Sequence, residues 1–339
     1  MLRLIAEALH FISILLVYYD TNRRGNEALL KMEKYDVIII GGGVAGISAA
    51  IWCNRLKLDH LLLESNHTPG GQLEQIFNQI IDYPGKIIEN GKELQKNLIE
   101  QIDTLKCNIS CNSVVSEIDS TAKTIQYLKD GHRIEASYQY LIIASGAKHR
   151  TLNVPGELEM MERGEVYSAT RHKDKFTNKQ VAIVGGGDRA FEGAMLLANA
   201  GAKVVLIHHS AHFRARNTYK DGVLDHKNIE ILTNTTVRSI QGDSRVESIE
   251  VNHNGMTRSI EVEGILIRIG NVPNSSLVKN IVKLDKQENI VVNKLGQTSN
   301  PSIFAIGDVC TPAAYCSISL SVGQGMITTK YISELLLQN

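Results

Sequence analysis

Twice in this chain an apolar strand runs directly into three consecutive glycines and then into a helix-forming run: YDVIIIGGGVAG at 35–46 and QVAIVGGGDRA at 180–190. A glycine triplet at the end of a buried strand makes a tight turn, lets backbone approach a ligand, and lets helix pack closely on strand. Two such units predict an α/β fold with parallel sheets and two nucleotide-binding units. The length of 339 residues suits two domains of about 100–200 residues each. With 43% hydrophobic and 21% charged residues, disorder and fibrous architecture are excluded. Thirty-six Lys and Arg balance 36 Asp and Glu, so the chain has no electrostatic footprint for nucleic acid or an anionic membrane. Small molecules or small carrier proteins are the expected partners.

Gly41, Gly43 and Gly46 match G-x-G-x-x-G between the strand Asp36–Ile40 and an apolar helical run from Val44 to Leu56. The helix N-terminus then faces an anion, as a pyrophosphate site requires. Glu64 closes the next strand, HLLLE, about 20 residues beyond the glycines, where an acid accepts hydrogen bonds from a free ribose 2′-hydroxyl. This pattern alone leaves FAD and NAD undecided. Near the other end, IFAIGDV at 303–309 reads as a strand ending in Gly307-Asp308, which suits a ribityl and pyrophosphate contact. In the second unit Gly185, Gly187 and Ala190 match G-x-G-x-x-A after the strand Val181–Val184, with Arg189 adding positive charge at the helix start. Two Pro-containing stretches, TLNVPGE (151–157) and GNVPNSS (270–276), bracket this unit as linkers. The expected organisation is two Rossmann-like dinucleotide-binding domains, the second (151–270) inserted into the first (33–150 and 271–339), after an apolar extension over 1–32.

More of the chain agrees with one family. GGGVAG, the Pro69–Gln72 segment PGGQ with Leu73 after it, IDYPG (81–85), ASGA (144–147), GGGDRA, GNVPN (270–274) and AIGDV cover nearly everything after Met32. Together they resemble the thioredoxin reductase family of flavoproteins. The resemblance implies FAD in the first domain, NADPH in the second and a homodimer; the cysteine usage points to a reducing cytoplasm. Carried over position by position, it assigns FAD contacts to Gly41, Gly43, Ala45, Gly46, Glu64, Gly71, Gln72, Ala144, Gly146, Gly307, Asp308 and Ser317. It assigns the nicotinamide nucleotide to Gly185, Gly187, Ala190, His208 and Arg214.

Two departures from the family matter. The family keeps a Cys-x-x-Cys dithiol after an Arg-Gly; here that stretch reads RGEVYSATRH, with Ser168 and Arg171 at the cysteine positions and His172 at that of the following acid. Neither a hydroxyl nor a guanidinium forms a redox disulfide. The strand Lys203–Ile207 ends in His208-His209-Ser210 where the family has His-Arg-Arg, and Arg214 matches a third arginine. Recognition of a 2′-phosphate relies on such arginines, so NADPH preference is weakened and no acid appears that would favour NADH. The histidines at 208, 209 and 212 have no standard zinc spacing, and no metal is expected.

Five cysteines, at 53, 107, 111, 310 and 316, do not make a secreted disulfide framework and suit a reducing compartment. Cys107 and Cys111, if extended, stand roughly 13 Å apart, too far to bridge. Cys310 and Cys316 flank a short loop directly after Gly307-Asp308 and are candidates for a relocated redox pair; Cys53 reads as packing. The leading expectation is an FAD-dependent oxidoreductase that passes electrons between NAD(P)H and an acceptor other than thioredoxin, in the manner of the ferredoxin–NADP reductases that resemble thioredoxin reductase. The alternatives are a disulfide reductase or thiol oxidase using Cys310 and Cys316 with a protein electron donor, and a flavin-binding sensor without turnover. For residues 1–31 three readings stand open: translation starting at Met32, a packing helix, or membrane attachment.

Overall fold

A computed structural model describes residues 32–338. The readings of the N-terminal extension lie outside the described residues. In chain order the elements are β1 (Glu33–Ile40), α1 (Val44–Arg55), β2 (His60–Leu63), α2 (Gly91–Leu105), β3 (Ile109–Ser110), β4 (Ser113–Asp119), β5 (Thr124–Lys129), β6 (His132–Ile143) and β7 (Ala147–His149). Then come α3 (Glu157–Glu162), α4 (Ala169–His172), β8 (Gln180–Val184), α5 (Asp188–Asn199), β9 (Lys203–Ile207), α6 (Asn217–Leu224) and β10 (Ile229–Leu232). The chain closes with β11 (Thr235–Gln241), β12 (Ser248–His253), β13 (Met256–Glu261), β14 (Ile265–Ile267), β15 (Asn271–Pro273), β16 (Ile303–Ala305) and α7 (Ile318–Gln338).

The first sheet has the order β3-β2-β1-β6-β5-β4, with β16 also pairing β6. β1 lies parallel to both β2 and β6. Its continuous apolar run follows from burial on both faces. Val37 and Ile39 pack with Ala45, Ala49 and Cys53 of α1 and Ile332 of α7. Ile38 and Ile40 pack on the other side with Ile118, Ile125 and Val278. Cys53 is therefore a packing residue, wholly buried.

The second sheet, β10-β9-β8-β14, is parallel throughout and repeats this logic. Val181 and Ile183 meet Phe191, Ala194 and Leu197 of α5. Ala182 and Val184 meet Val237, Ile249 and Val251 of the antiparallel β11-β12-β13 sheet. Every strand of the second sheet lies in sequence between β7 and β15, and these two run side by side as an antiparallel ladder, Ala147–His149 against Asn271–Pro273. The two crossings between the sheets are thus held together.

Local details differ from the sequence reading. Gly307-Asp308 is not the end of a strand; it opens a 3-10 turn, Gly307–Val309, because Gly307 takes φ +75° and ends the extended chain after Ala305. Helix α5 begins at Asp188, so that Arg189 lies within its first turn, and α7 begins at Ile318. Cys107 and Cys111 flank the two-residue β3, and all five cysteines are free thiols. Among the described residues no helix is long and apolar enough to cross a membrane.

Candidate functional site

The first glycine turn sits where β1, β6 and β16 end together. Gly41 has φ +107°, and a Cβ there would stand 2.4 Å from the Ala144 carbonyl oxygen. At Gly46 a Cβ would be 1.9 Å from the Gly41 oxygen, so both positions admit only glycine. Gly43 differs: a Cβ would meet nothing within 4 Å, so its backbone borders open space at the start of α1. No side chain caps this helix end, which leaves the first-turn amides of α1 for an anion.

Glu64 is only 4% exposed. One carboxylate oxygen accepts the Gly42 amide at 2.7 Å; the other accepts the Asn66 amide and side chain, both at 2.8 Å, and the Ser65 hydroxyl at 3.1 Å. The acid therefore fixes the shape of the turn, and its Gly42-bonded oxygen keeps a lone pair for a ribose hydroxyl. Gly71 backs onto Gly43, where a Cβ would lie 3.1 Å from its Cα. Next to it, Gln72 Nε2 donates to Asp308 Oδ2 at 3.0 Å, joining PGGQ to the C-terminal Gly-Asp turn. Gly307 packs on Ala45, and its amide donates to Gln324 Oε1 at 2.7 Å. Gly146 has φ +67° and opens toward Gln72, while Ser145 and Asn274 exchange hydrogen bonds that tie ASGA to GNVPN. Ser317 Oγ accepts the Leu320 amide and caps α7. Turn, uncapped helix start, buried acid and oriented Asp308 form one cradle, and these residues fit FAD: anion donors at Gly43, a ribose acceptor at Glu64, and polar contacts at Gln72 and Asp308.

The second turn is built likewise. A Cβ on Gly185 would stand 2.3 Å from the Arg268 carbonyl oxygen, whereas one on Gly187 would meet nothing. Gly186 rests directly on the ring of His208, where a Cβ would approach within 2.3 Å. His208 is 4% exposed, and its Nε2 lies 3.0 Å from Ser210 Oγ and 3.1 Å from the His212 oxygen. Burial pushes its basicity down. The structure thus places this ring beneath the turn as a wedge rather than on the open side. Arg214 is exposed, and its amide donates to the Gly186 oxygen at 2.8 Å. Arg189 is exposed in the first turn of α5; Asp188 beside it is engaged by Arg216, which holds its carboxyl below the usual range.

The segment at the dithiol position is anchored on both sides. The Ser168 amide donates to His172 Nδ1 at 2.9 Å, so that ring nitrogen accepts, and burial and Arg171 push the ring's basicity down. Tyr167 takes a hydrogen bond from Lys175 on its hydroxyl and one from Arg268 on its carbonyl, at 3.0 and 2.7 Å. The Arg171 guanidinium lies 5.1 Å over the ring of Phe77, beyond the PGGQ segment. His149 lies 3.2 Å from Gln75 Oε1.

Cys310 Sγ donates to the Gly307 oxygen at 3.4 Å, and Cys316 Sγ to the Thr311 oxygen at 3.5 Å. Burial, with the Asp308 charge adding to it, pushes both thiols up to about 12. The Cys310 thiol raises Cys316 further, and the Arg189 charge opposes the shift. Three residues of the site escape the sequence reading. Phe77 and Gln324 carry no local signal. Arg268 carries one: a cation interrupting the apolar strand ILIRIG.

A family model described as pyridine nucleotide-disulphide oxidoreductase matches residues 35–328. The chain is similar to thioredoxin reductase of Peptoclostridium litorale, 32% identical over 314 residues, covering 89% of this chain and 98% of that one. It is also similar to one of the alkyl hydroperoxide reductase subunits of Staphylococcus aureus, 31% identical over 318 residues, covering 91% of this chain but spanning 60% of that protein. Among solved structures, Lactococcus lactis thioredoxin reductase in its FR conformation aligns with TM-score 0.75 and 29% identity, over 90% of this chain and all of that one.

Proposed function

Since the chain belongs to the pyridine nucleotide-disulphide oxidoreductase family, among its thioredoxin-reductase-like members, we propose that it oxidises NAD(P)H and passes the electrons through FAD directly to an acceptor, without a relay dithiol. The observation that carries this reading is the segment 168–172. Ser168 and Arg171 stand at the dithiol positions, and Arg171 is stacked on Phe77. No two cysteines of the chain have Cys-x-x-Cys spacing. In this reading 33–150 with 271–339 form the FAD-binding domain and 151–270 the donor domain of a cytoplasmic homodimer.

FAD, when bound, supplies the two-electron chemistry. The chain's residues supply position. Glu64 sets the Gly42 turn so that the amides at the start of α1 point at a diphosphate; Gln72 orients Asp308 toward the cradle. Arg189 stands exposed in the first turn of α5, directly after the second glycine triplet, which supports a donor phosphate held there. The acceptor is a small molecule or a small electron-carrier protein. Anaerobic assays with NADPH or NADH test this: turnover with ferricyanide or a quinone and none with thioredoxin is expected. Thioredoxin reduction at a rate matching the quinone would overturn it.

A second reading is favoured by one placement. Cys310 and Cys316 share the loop beside Asp308, and the Cys310 thiol helps push Cys316 up, as a neighbouring pair would. A Cys316→Ser variant separates the readings: unchanged quinone turnover removes the pair, and loss of turnover with retained flavin supports it.

A further inference from the structure

The two glycine units account for a dinucleotide but not for two cations left beside the second. Arg268 follows β14 and lies level with Gly185, since Ile267 pairs Val184 and the Arg268 amide donates to the Val184 oxygen at 2.7 Å. It stands at the carboxyl edge of the sheet, where β8 and β14 adjoin and their connections leave in different directions, the place where open α/β sheets take ligands. Its guanidinium spends two of five N–H donors on carbonyls, those of Ile267 and Tyr167, at 2.8 and 2.7 Å. Arg189, in the first turn of α5, belongs to the same corner: Gly185 is closed in by the Arg268 carbonyl and by Ala190 Cβ, the residue after Arg189. Burial, with the Arg189 charge adding to it, lowers the basicity of Arg268. Among the described residues neither arginine is paired with a carboxylate. Two like charges, one of them half-buried, are held together at a site built for a dinucleotide. The chemistry that relieves such a pair is a diphosphate bridge, with one negative charge on each phosphate, taking the remaining fork donors.

On the opposite side of the turn, the means of gripping a 2′-phosphate are reduced. His209 and Ser210 stand where the family resemblance puts arginines, His208 is wedged under Gly186, and Arg214 alone remains exposed. We propose that Arg268 and Arg189 clamp the donor's pyrophosphate, so that binding is anchored on the part NADH and NADPH share and the enzyme accepts both. This rests on reading the second glycine unit as the donor site.

Titration calorimetry of the FAD-loaded protein with NAD⁺, NADP⁺ and adenosine 2′-monophosphate, which has no phosphate on its 5′ oxygen, tests the clamp without relying on turnover. Wild type is expected to bind NAD⁺ and NADP⁺ within about tenfold of each other. Arg268→Gln should weaken both dinucleotides by the same factor, roughly 10- to 100-fold for a lost charge-assisted pair, and leave the monophosphate unchanged. Arg189→Ala, an exposed position that the fold does not lean on, should show the same pattern should Arg268→Gln loosen Tyr167. Arg214→Ala should weaken NADP⁺ and the monophosphate only. Unchanged dinucleotide binding in both clamp variants, or a loss confined to NADP⁺, overturns the clamp while leaving the donor site standing. A wild type that binds neither dinucleotide overturns the donor-site reading and the clamp with it.

Discussion

Gly43 and Gly46 look alike in the sequence, yet the space around them predicts opposite phenotypes. A methyl group at Gly46 collides with the Gly41 carbonyl, so Gly46→Ala should lower stability by about 1–3 kcal/mol or more, the cost of overpacking, visible as a reduced melting temperature. At Gly43 the backbone is ordinary (φ −71°) and a methyl enters empty space. Gly43→Ala should keep the melting temperature of the flavin-free protein and lose flavin, read as visible absorbance per protein. Equal effects of the two variants on both readouts would contradict this assignment. At the same scale, Cys310 and Cys316 should resist alkylation at neutral pH and react as pH rises into the alkaline range, since both titrate near 12; rapid labelling at pH 7 would be inconsistent with that. The glycines and Glu64 are legible in the sequence because their roles follow from local chain geometry. Arg268 and Phe77 are not, because each acquires its partner only when distant segments meet.

Among the elements, the edge of the first sheet contains a pH-sensitive joint. His60 in β2 is 5% exposed; its Nε2 accepts the Asn108 amide at 3.3 Å, and its Nδ1 lies 3.0 Å from the Leu58 oxygen. The proton therefore belongs on Nδ1, and a second proton would break the bond that seats β3. Burial lowers the folded-state pKa below the ordinary 6.5, so the unfolded chain takes up the proton first. Stability is full above about pH 6.5 and falls as pH drops toward the folded value. His149, His172 and His208 are shifted in the same direction and steepen the loss. Melting temperature should thus decline between about pH 6.5 and 5, less in a His60→Gln variant than in wild type; parallel curves would show that His60 does not contribute. The parallel strands of the first two sheets are readable as apolar runs because both of their faces are buried. The antiparallel strands β4, β5 and β11–β13 are not, because one face is solvated and their sequences alternate weakly. The 3-10 turn at Gly307 reads as strand in the sequence because its geometry hangs on a single positive φ.

For the whole molecule, insertion of one nucleotide unit into another is suggested by the repeat and by the two Pro-containing linkers, and β7 pairs with β15 near them. What the linear chain does not indicate is how the two sheets are joined. Arg171 on Phe77 joins segments from either side of the crossings, and His149, in the crossing strand β7 itself, meets Gln75. On the proposed reading no dithiol must take turns with the donor, and one domain orientation is expected. Solution scattering should fit a single conformation with and without NADP⁺, and two populated orientations would contradict it. The central claim, that electrons pass from nucleotide to flavin to acceptor with no cysteine relay, has a direct stoichiometric test. The FAD-loaded protein is titrated anaerobically with NADPH or NADH while the visible absorbance is followed. Complete bleaching at one equivalent of nucleotide per flavin is expected. A requirement for two equivalents would reveal a redox disulfide in the chain, and bleaching by dithionite alone would show that the second glycine unit delivers no hydride; either result contradicts the claim.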